Sequence, residues 1–197
     1  ADYNAGKLPF DPSTVGPATE AAVENAVAQL VPGYKPRDRN GEPVKLSRPF
    51  VVGVLPLALK PEMAALYPEL KQRRVALGVH NRIASAVTAE GQCELLEINP
   101  QILQALELQW WVGTKGAPST EEVVGQMRDL SSKLDWIVYG EVFSFSIRQL
   151  EKLRGLSGKV NSEVNMSLQL RAVAPKSQPP RLFLASGSGA QSGDWEA

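Results

Sequence analysis

The chain reads as an α/β domain: a mixed sheet with one parallel β-α-β crossover near its start, an antiparallel meander at its carboxyl end, and helices packed on the sheet. Three observations predict it. Phe50 to Leu57 is a continuous apolar run with β-branched residues, the pattern of a strand covered on both faces. It is followed by a segment with Val75, Val79, Ile83 and Val87 at intervals of four, a helical period, and then by a second short apolar run from Cys93 to Ile98. The last third instead alternates with period two: Trp136 to Ile147, then Val160 to Arg171, then Leu182 to Ser186.

In chain order, the first helix is expected from about Pro17 to Leu30, with Val23, Val27 and Leu30 at helical spacing and Ala22 and Ala26 beside them. Pro17 suits its first turn and Pro32-Gly33 its end. Residues 1–32 form an amino-terminal arm and helix packing on the main domain, 33–48 a polar, proline-broken linker, and 49–197 the α/β domain, one globular unit. The strand at 50–57 stops near Pro56. The long helix runs from about Glu69 to Ala89, and the strand at Cys93 completes a parallel crossover.

Asn99-Pro100 combines a capping side chain with a proline at the first helical position and starts a helix reaching Trp110 and Trp111. Ser119-Thr-Glu-Glu122 has the form of a capping box and starts another, to about Leu134. In the strand that follows, Ile137, Tyr139, Glu141, Phe143, Phe145 and Ile147 share one face, opposed by Val138, Gly140, Val142, Ser144 and Ser146. In the next, Val164, Met166, Leu168 and Leu170 are opposed by Glu163, Asn165, Ser167, Gln169 and Arg171, one apolar face and one wet. Gly187 to Gly193 is expected to be flexible. A meander that ends this way leaves an apolar sheet face open, and the alanine-rich first helix is the segment available to cover it.

The function classes are narrowed by scarcity. Lys plus Arg equals Asp plus Glu, at 21 each, so no global field favours nucleic acid. One cysteine, Cys93, and one histidine, His80, exclude a thiolate cluster and most His-based metal sites, and no cofactor is expected. His80 and Cys93 read as packing residues, and Glu141 as a carboxylate paired with Arg171 or another base, because acid/base work needs a second titratable partner. The glycines at 187–193 lack a following helix and a Lys-Ser/Thr, so they are no phosphate loop. No run of about 18 apolar residues spans a membrane. The chain opens without a signal segment, so an export signal is expected to have been removed or left out.

Phe50-Val-Val-Gly-Val-Leu-Pro-Leu, the helix around Ile83-Ala-Ser-Ala-Val with Cys93-Glu-Leu-Leu-Glu, Leu134-Asp-Trp-Ile-Val-Tyr-Gly-Glu-Val, and Val164-Asn-Met-Ser-Leu-Gln-Leu-Arg-Ala-Val with Ala185-Ser-Gly-Ser-Gly together resemble the CsgG family of curli secretion and its envelope relatives with TolB-amino-terminal-like or LpoB-like domains. The resemblance implies a non-catalytic protein of the periplasm or cell envelope, a protein-interaction or assembly module that self-associates or binds a protein partner, without nucleic acid. Family members close with an alanine-rich helix after the Ser-Gly strand; here that helix stands first, so the order looks circularly permuted. The loop Arg148 to Lys159 is too short and too charged for the membrane hairpin of curli channels, leaving peripheral envelope contact. A regulator of a cell-wall synthase and a small enzyme with an unrecognised site are the competing readings. For partner binding the residues singled out are Trp110 and Trp111, because neighbours on a helix point about 100° apart and cannot easily share one core, and the basic Arg148, Lys152 and Arg154.

Overall fold

The computed structural model describes residues 12–34, 38–42, 44–45, 47–89, 93–113, 116–149, 159–177 and 179–196. Among the described residues six strands form one mixed sheet: β1 (Phe50–Val54), β2 (Ala58–Leu59), β3 (Cys93–Leu95), β4 (Trp136–Gln149), β5 (Lys159–Ala174) and β6 (Arg181–Glu196). The order across it is β3-β1-β4-β5-β6, with β2 pairing β4 beyond the end of β1. β1 is parallel to both β3 and β4, whereas β4-β5-β6 is an antiparallel meander. The expected mixed sheet is present. Pro56 breaks the apolar run into β1 and β2 because a proline cannot donate to a ladder, and Leu55 N–H still reaches the Val138 carbonyl at 2.9 Å.

Helices lie on both sides. On one, α1 (Pro12–Tyr34) and α3 (Arg73–Thr88) cover a core that includes Val52, Val138, Met166, Leu168 and Leu170. On the other, α4 (Pro100–Glu107) and α5 (Thr120–Gln126) cover Leu55, Ile137, Tyr139 and Val173. A short α2 (Pro61–Leu66) and a 3-10 turn (Pro68–Lys71) precede α3, so the helix expected from Glu69 starts at Arg73. The helix expected to reach Leu134 ends at Gln126, and a 3-10 turn at Ser131–Lys133 completes the connection. The linker expected at 33–48 does not begin at 33, since α1 runs two residues further, to Tyr34.

The cover expected for the meander is in place within the chain. Ala18, Ala22, Val23, Ala26, Val27 and Leu30 of α1 are all buried, and the helix lies across β5 and β6. Its approach is close enough that only hydrogen fits beneath it: a Cβ on Gly187 would stand 2.2 Å from the Ala22 carbonyl oxygen, and one on Gly189 2.2 Å from that of Ala18. This reverses the expectation for 187–193. The segment continues β6 instead of loosening it, and Gly187 and Gly189 are where the helix backbone presses on the strand. Asn25 Nδ2 donates to the Ser188 carbonyl at 2.8 Å, the Ser186 N–H reaches Gln29 Oε1 at 3.5 Å, and the Thr19 hydroxyl donates to Met166 Sδ at 3.2 Å.

The alternation expected along β4 holds only to Phe143. Val142 pairs with Leu168 but Ser144 with Ser167, so Phe143 is an extra residue opposite none, a β-bulge. The bulge exchanges the faces. Val138 and Val142 share the α1/α3 side with Phe145 and Ile147, whereas Ile137 and Tyr139 turn toward α4 and α5. One extra residue keeps the apolar set on one side as the strand passes from a stretch buried on both faces to one with a wet face.

Candidate functional site

The segment that carries the sequence-level site begins as expected. Asn99 caps α4, its Oδ1 accepting the Gln101 N–H at 2.8 Å, and Pro100 takes the first position. The helix then widens into a π turn, Leu108–Val112. Such turns, with i→i+5 hydrogen bonds, are short and frequent at functional sites. This one changes where the tryptophans go. Trp110 enters the core under α4 and α5 with Leu106, Val123 and Met127, and Trp111 enters the opposite core beside Leu70 and Leu59. Trp111 Nε1 donates to the Leu70 carbonyl at 2.6 Å, and Trp110 Nε1 is buried with no hydrogen-bond partner. Each is 1% exposed, so the expectation that they form a contact surface is corrected. Two neighbours cannot share one core; here they occupy two.

What α4 and the π turn leave outside is the residues around the two tryptophans. Leu108 is 56% exposed, Ile102 39% and Val112 37%, enough to make one apolar face, with Ala105 also exposed. The exposed polar residues among them are Gln101, Gln104 and Gln109. From Pro100 to Gly113 the one ionisable side chain is Glu107, and it is buried. An exposed helix face without a charge is the composition found at the centres of protein interfaces, where charged residues are depleted. Sequence reasoning chose the largest side chains in the segment and missed their neighbours; the signal available was the scarcity of charge, one ionisable residue in 14.

Of the basic residues, Lys152 and Arg154 lie outside the described residues. Arg148 belongs to β4 and not to a loop, and it ion-pairs with Glu163 at 3.5 Å. Glu163 also accepts from Asn165 Nδ2 at 2.9 Å. Arg171, expected as a partner for Glu141, instead donates to Gln169 Oε1 at 3.2 Å and lies 6.0 Å from the centre of the Tyr139 ring. The Tyr139 hydroxyl meets Thr120 Oγ1 at 2.9 Å, tying the start of α5 to the sheet.

The titratable groups inside the fold are dispersed. His80, on α3, has a buried Nδ1 with no partner; burial pushes its pKa below the usual 6.5, a hydrogen bond to the Leu55 backbone working the other way. Cys93 is buried on β3. Asp135 accepts the Val51 N–H at 2.9 Å, both Arg48 guanidinium nitrogens at 3.1 and 3.2 Å, and lies 3.5 Å from Lys176 Nζ. Burial alone would raise its pKa, but these donors outweigh it and hold the carboxyl below its ordinary value. The cluster is a strut joining the entry of β1 to β4 and to the β5-β6 turn.

Between α1 and α3 runs a cleft of ≈ 720 Å³ floored by Val23, Val27 and Ala86. Glu20 and Glu24 stand on one wall and Arg82 on the other, Arg82 donating to the Gly16 carbonyl at 2.6 Å and to Glu20 at 3.4 Å. Among the described residues no group of three or more His, Cys, Asp and Glu side chains is arranged to hold a metal ion, and no helix is long and apolar enough to cross a membrane.

No family model and no curated protein matches the sequence. Among solved structures, the chain is similar to a hypothetical protein from Chlamydia trachomatis, at 14% identity, a TM-score of 0.47 and coverage of 73% of each chain. It is also similar to a lipoprotein from Neisseria meningitidis, at 14% identity and a TM-score of 0.45, covering 74% of this chain and 85% of that one.

Proposed function

We propose that this protein is a non-catalytic, CsgG-like component of the cell envelope that acts as a protein-interaction and assembly module, binding its partner through the outer face of α4 and the π turn. The observation that carries the interaction is the charge-free surface of Ile102, Ala105, Leu108 and Val112, in a segment anchored by two buried tryptophans. The envelope location rests on the sequence resemblance. The placement of α1 on the meander supports the circular order that the resemblance implies.

The test is the full chain carrying Leu108→Arg with Ile102→Arg, beside the unaltered chain, each used to capture partners from the native cell after circular dichroism has shown both folded. A specific partner retained by the unaltered chain and lost by the variant is the expected result. Equal retention would sink the proposed surface. The identity of the captured protein then separates an assembly role in secretion from regulation of a cell-wall synthase.

A further inference from the structure

Among the described residues, no helix covers the outer face of β4-β5-β6, the face turned away from α1 and α3, beyond Tyr139 and Val173. Along β5 the residues on that face are Glu163, Asn165, Ser167, Gln169 and Arg171, alternating with the buried Val164, Met166, Leu168 and Leu170. The series has opposite charges at its ends, an amide next to each end, and serine at its centre. Turned end for end it becomes its own complement: Arg171 meets Glu163, Gln169 meets Asn165, and Ser167 meets Ser167. The central row is serine across all three strands, Ser144, Ser167 and Ser188, with Ser167 Oγ and Ser188 Oγ 2.8 Å apart. The smallest side chains therefore stand where two such faces would come closest.

The geometry points to a second copy of this chain as the occupant, in a two-fold dimer whose axis lies between the sheets, perpendicular to the strands at Ser167. Face-to-face sheets pack about 10 Å apart with strands within about 30° of one another. At that angle the ends of the stretch from Glu163 to Arg171 shift sideways by about 7 Å, a distance the guanidinium of Arg171 spans. Both charges already have partners within the face. Arg171 is fixed by Gln169 and the Tyr139 ring, and Glu163 by Asn165 and Arg148, so docking adds a cation to an ordered carboxylate. Arg148 in turn arrives at the row of Tyr139, where α5 begins with Glu121 and Glu122 in its first turn. From Glu163 to Arg171 is about 27 Å at 3.4 Å per residue, and three strands are about 14 Å wide, giving roughly 380 Å² per copy. Two copies bury about 760 Å², under the roughly 1,200 Å² of stable complexes, so the dimer is weak, reversible and salt-sensitive.

This goes beyond the surface proposed for a partner, since none of these residues is on α4. The experiment is sedimentation of the full chain over a concentration series. The unaltered chain is expected to show a reversible dimer that weakens with salt. Arg171→Glu and Glu163→Arg should each weaken it about tenfold, and the two together should restore it to within about threefold of the original, on the scale where tenfold is about 1.4 kcal/mol. Ser167→Cys, on the axis, should be joined to its own copy by a short bis-maleimide, with Ser192→Cys far less so; Cys93 is buried and serves as the internal control. A monomer at every concentration, swaps without effect, or equal cross-linking of the two cysteine variants would overturn the dimer and leave the α4 surface to stand on its own test. A dimer abolished by Leu108→Arg and untouched by the charge swaps would overturn the sheet interface while moving self-association to α4.

Discussion

Gly187→Ala is the substitution that most directly tests how α1 is held. The added Cβ would stand 2.2 Å from the Ala22 carbonyl oxygen, 2.4 Å from the Ala26 nitrogen and 2.9 Å from the Ala26 Cβ. Two of these three are backbone atoms of a helix, which no rotamer change can move. Relief to ordinary contact lifts the helix by about 1 Å, and a gap of that size forfeits a quarter to a half of the dispersion well along the contact. Full burial of Val23, Val27 and Leu30 with three alanines is worth about 8 kcal/mol, so the loss comes to about 2–4 kcal/mol. Gly78 is the control: it lies within α3 with nothing inside 4 Å of its Cβ position, and Gly78→Ala should stabilise by about 0.5–1 kcal/mol. Urea unfolding monitored by circular dichroism measures both. A Gly187→Ala chain within about 0.5 kcal/mol of the original would refute the close approach of helix and strand.

The remaining predictions concern the cores, the bulge and pH. Trp111→Phe strands the buried Leu70 carbonyl and should cost about 1–3 kcal/mol more than its volume change alone. Trp110→Phe removes an N–H that has no partner and should cost less, both read by denaturant midpoint. Deleting Phe143 removes the residue that β5 leaves unopposed and keeps every later side chain on its side, so the chain should remain folded with a loss of about 1 kcal/mol. Deleting Ser146 sends Ile147 to the wet face and should cost several times more, about 3 kcal/mol. His80 has a folded pKa below its unfolded 6.5, so the unfolded chain takes up the proton first. Its contribution is full above about pH 6.5 and is lost as pH falls through the folded value. Asp135 behaves alike below 3.8. His80→Gln should flatten the upper limb of the acid-unfolding curve and leave the lower one in place.

Period and capping made most of the framework legible. The interval of four through Val75, Val79, Ile83 and Val87 marks the buried stripe of α3, and Asn99-Pro100 and Ser119-Thr-Glu-Glu122 mark the starts of α4 and α5 because each supplies an acceptor for an orphan N–H. The need for a cover on the meander is visible in the alternation of β5, and α1 meets it. The faces of β4 are not legible in the same way. Both sides of its first half are buried, so the polar residues that would reveal a bulge appear only at Ser144 and Ser146. The glycines from 187 to 193 share the composition of a flexible tail, and only the helix lying on them shows their use. The tryptophans misled for a geometric reason: the 100° separation of neighbours holds in an α-helix, and a π turn between two cores gives each ring a core of its own.

The side chains of Asn25 and Gln29 reach the outward carbonyl of Ser188 and N–H of Ser186 on the last strand of the sheet. Those backbone groups are the ones another chain would use to extend the sheet, and unpaired edges of this kind are templates for aggregation. The helix that closes the core thus also blocks the edge. Fraying of α1 would uncover an apolar face and edge groups of the ladder at once, so a chain whose α1 opens locally on heating is expected to aggregate before the sheet itself melts.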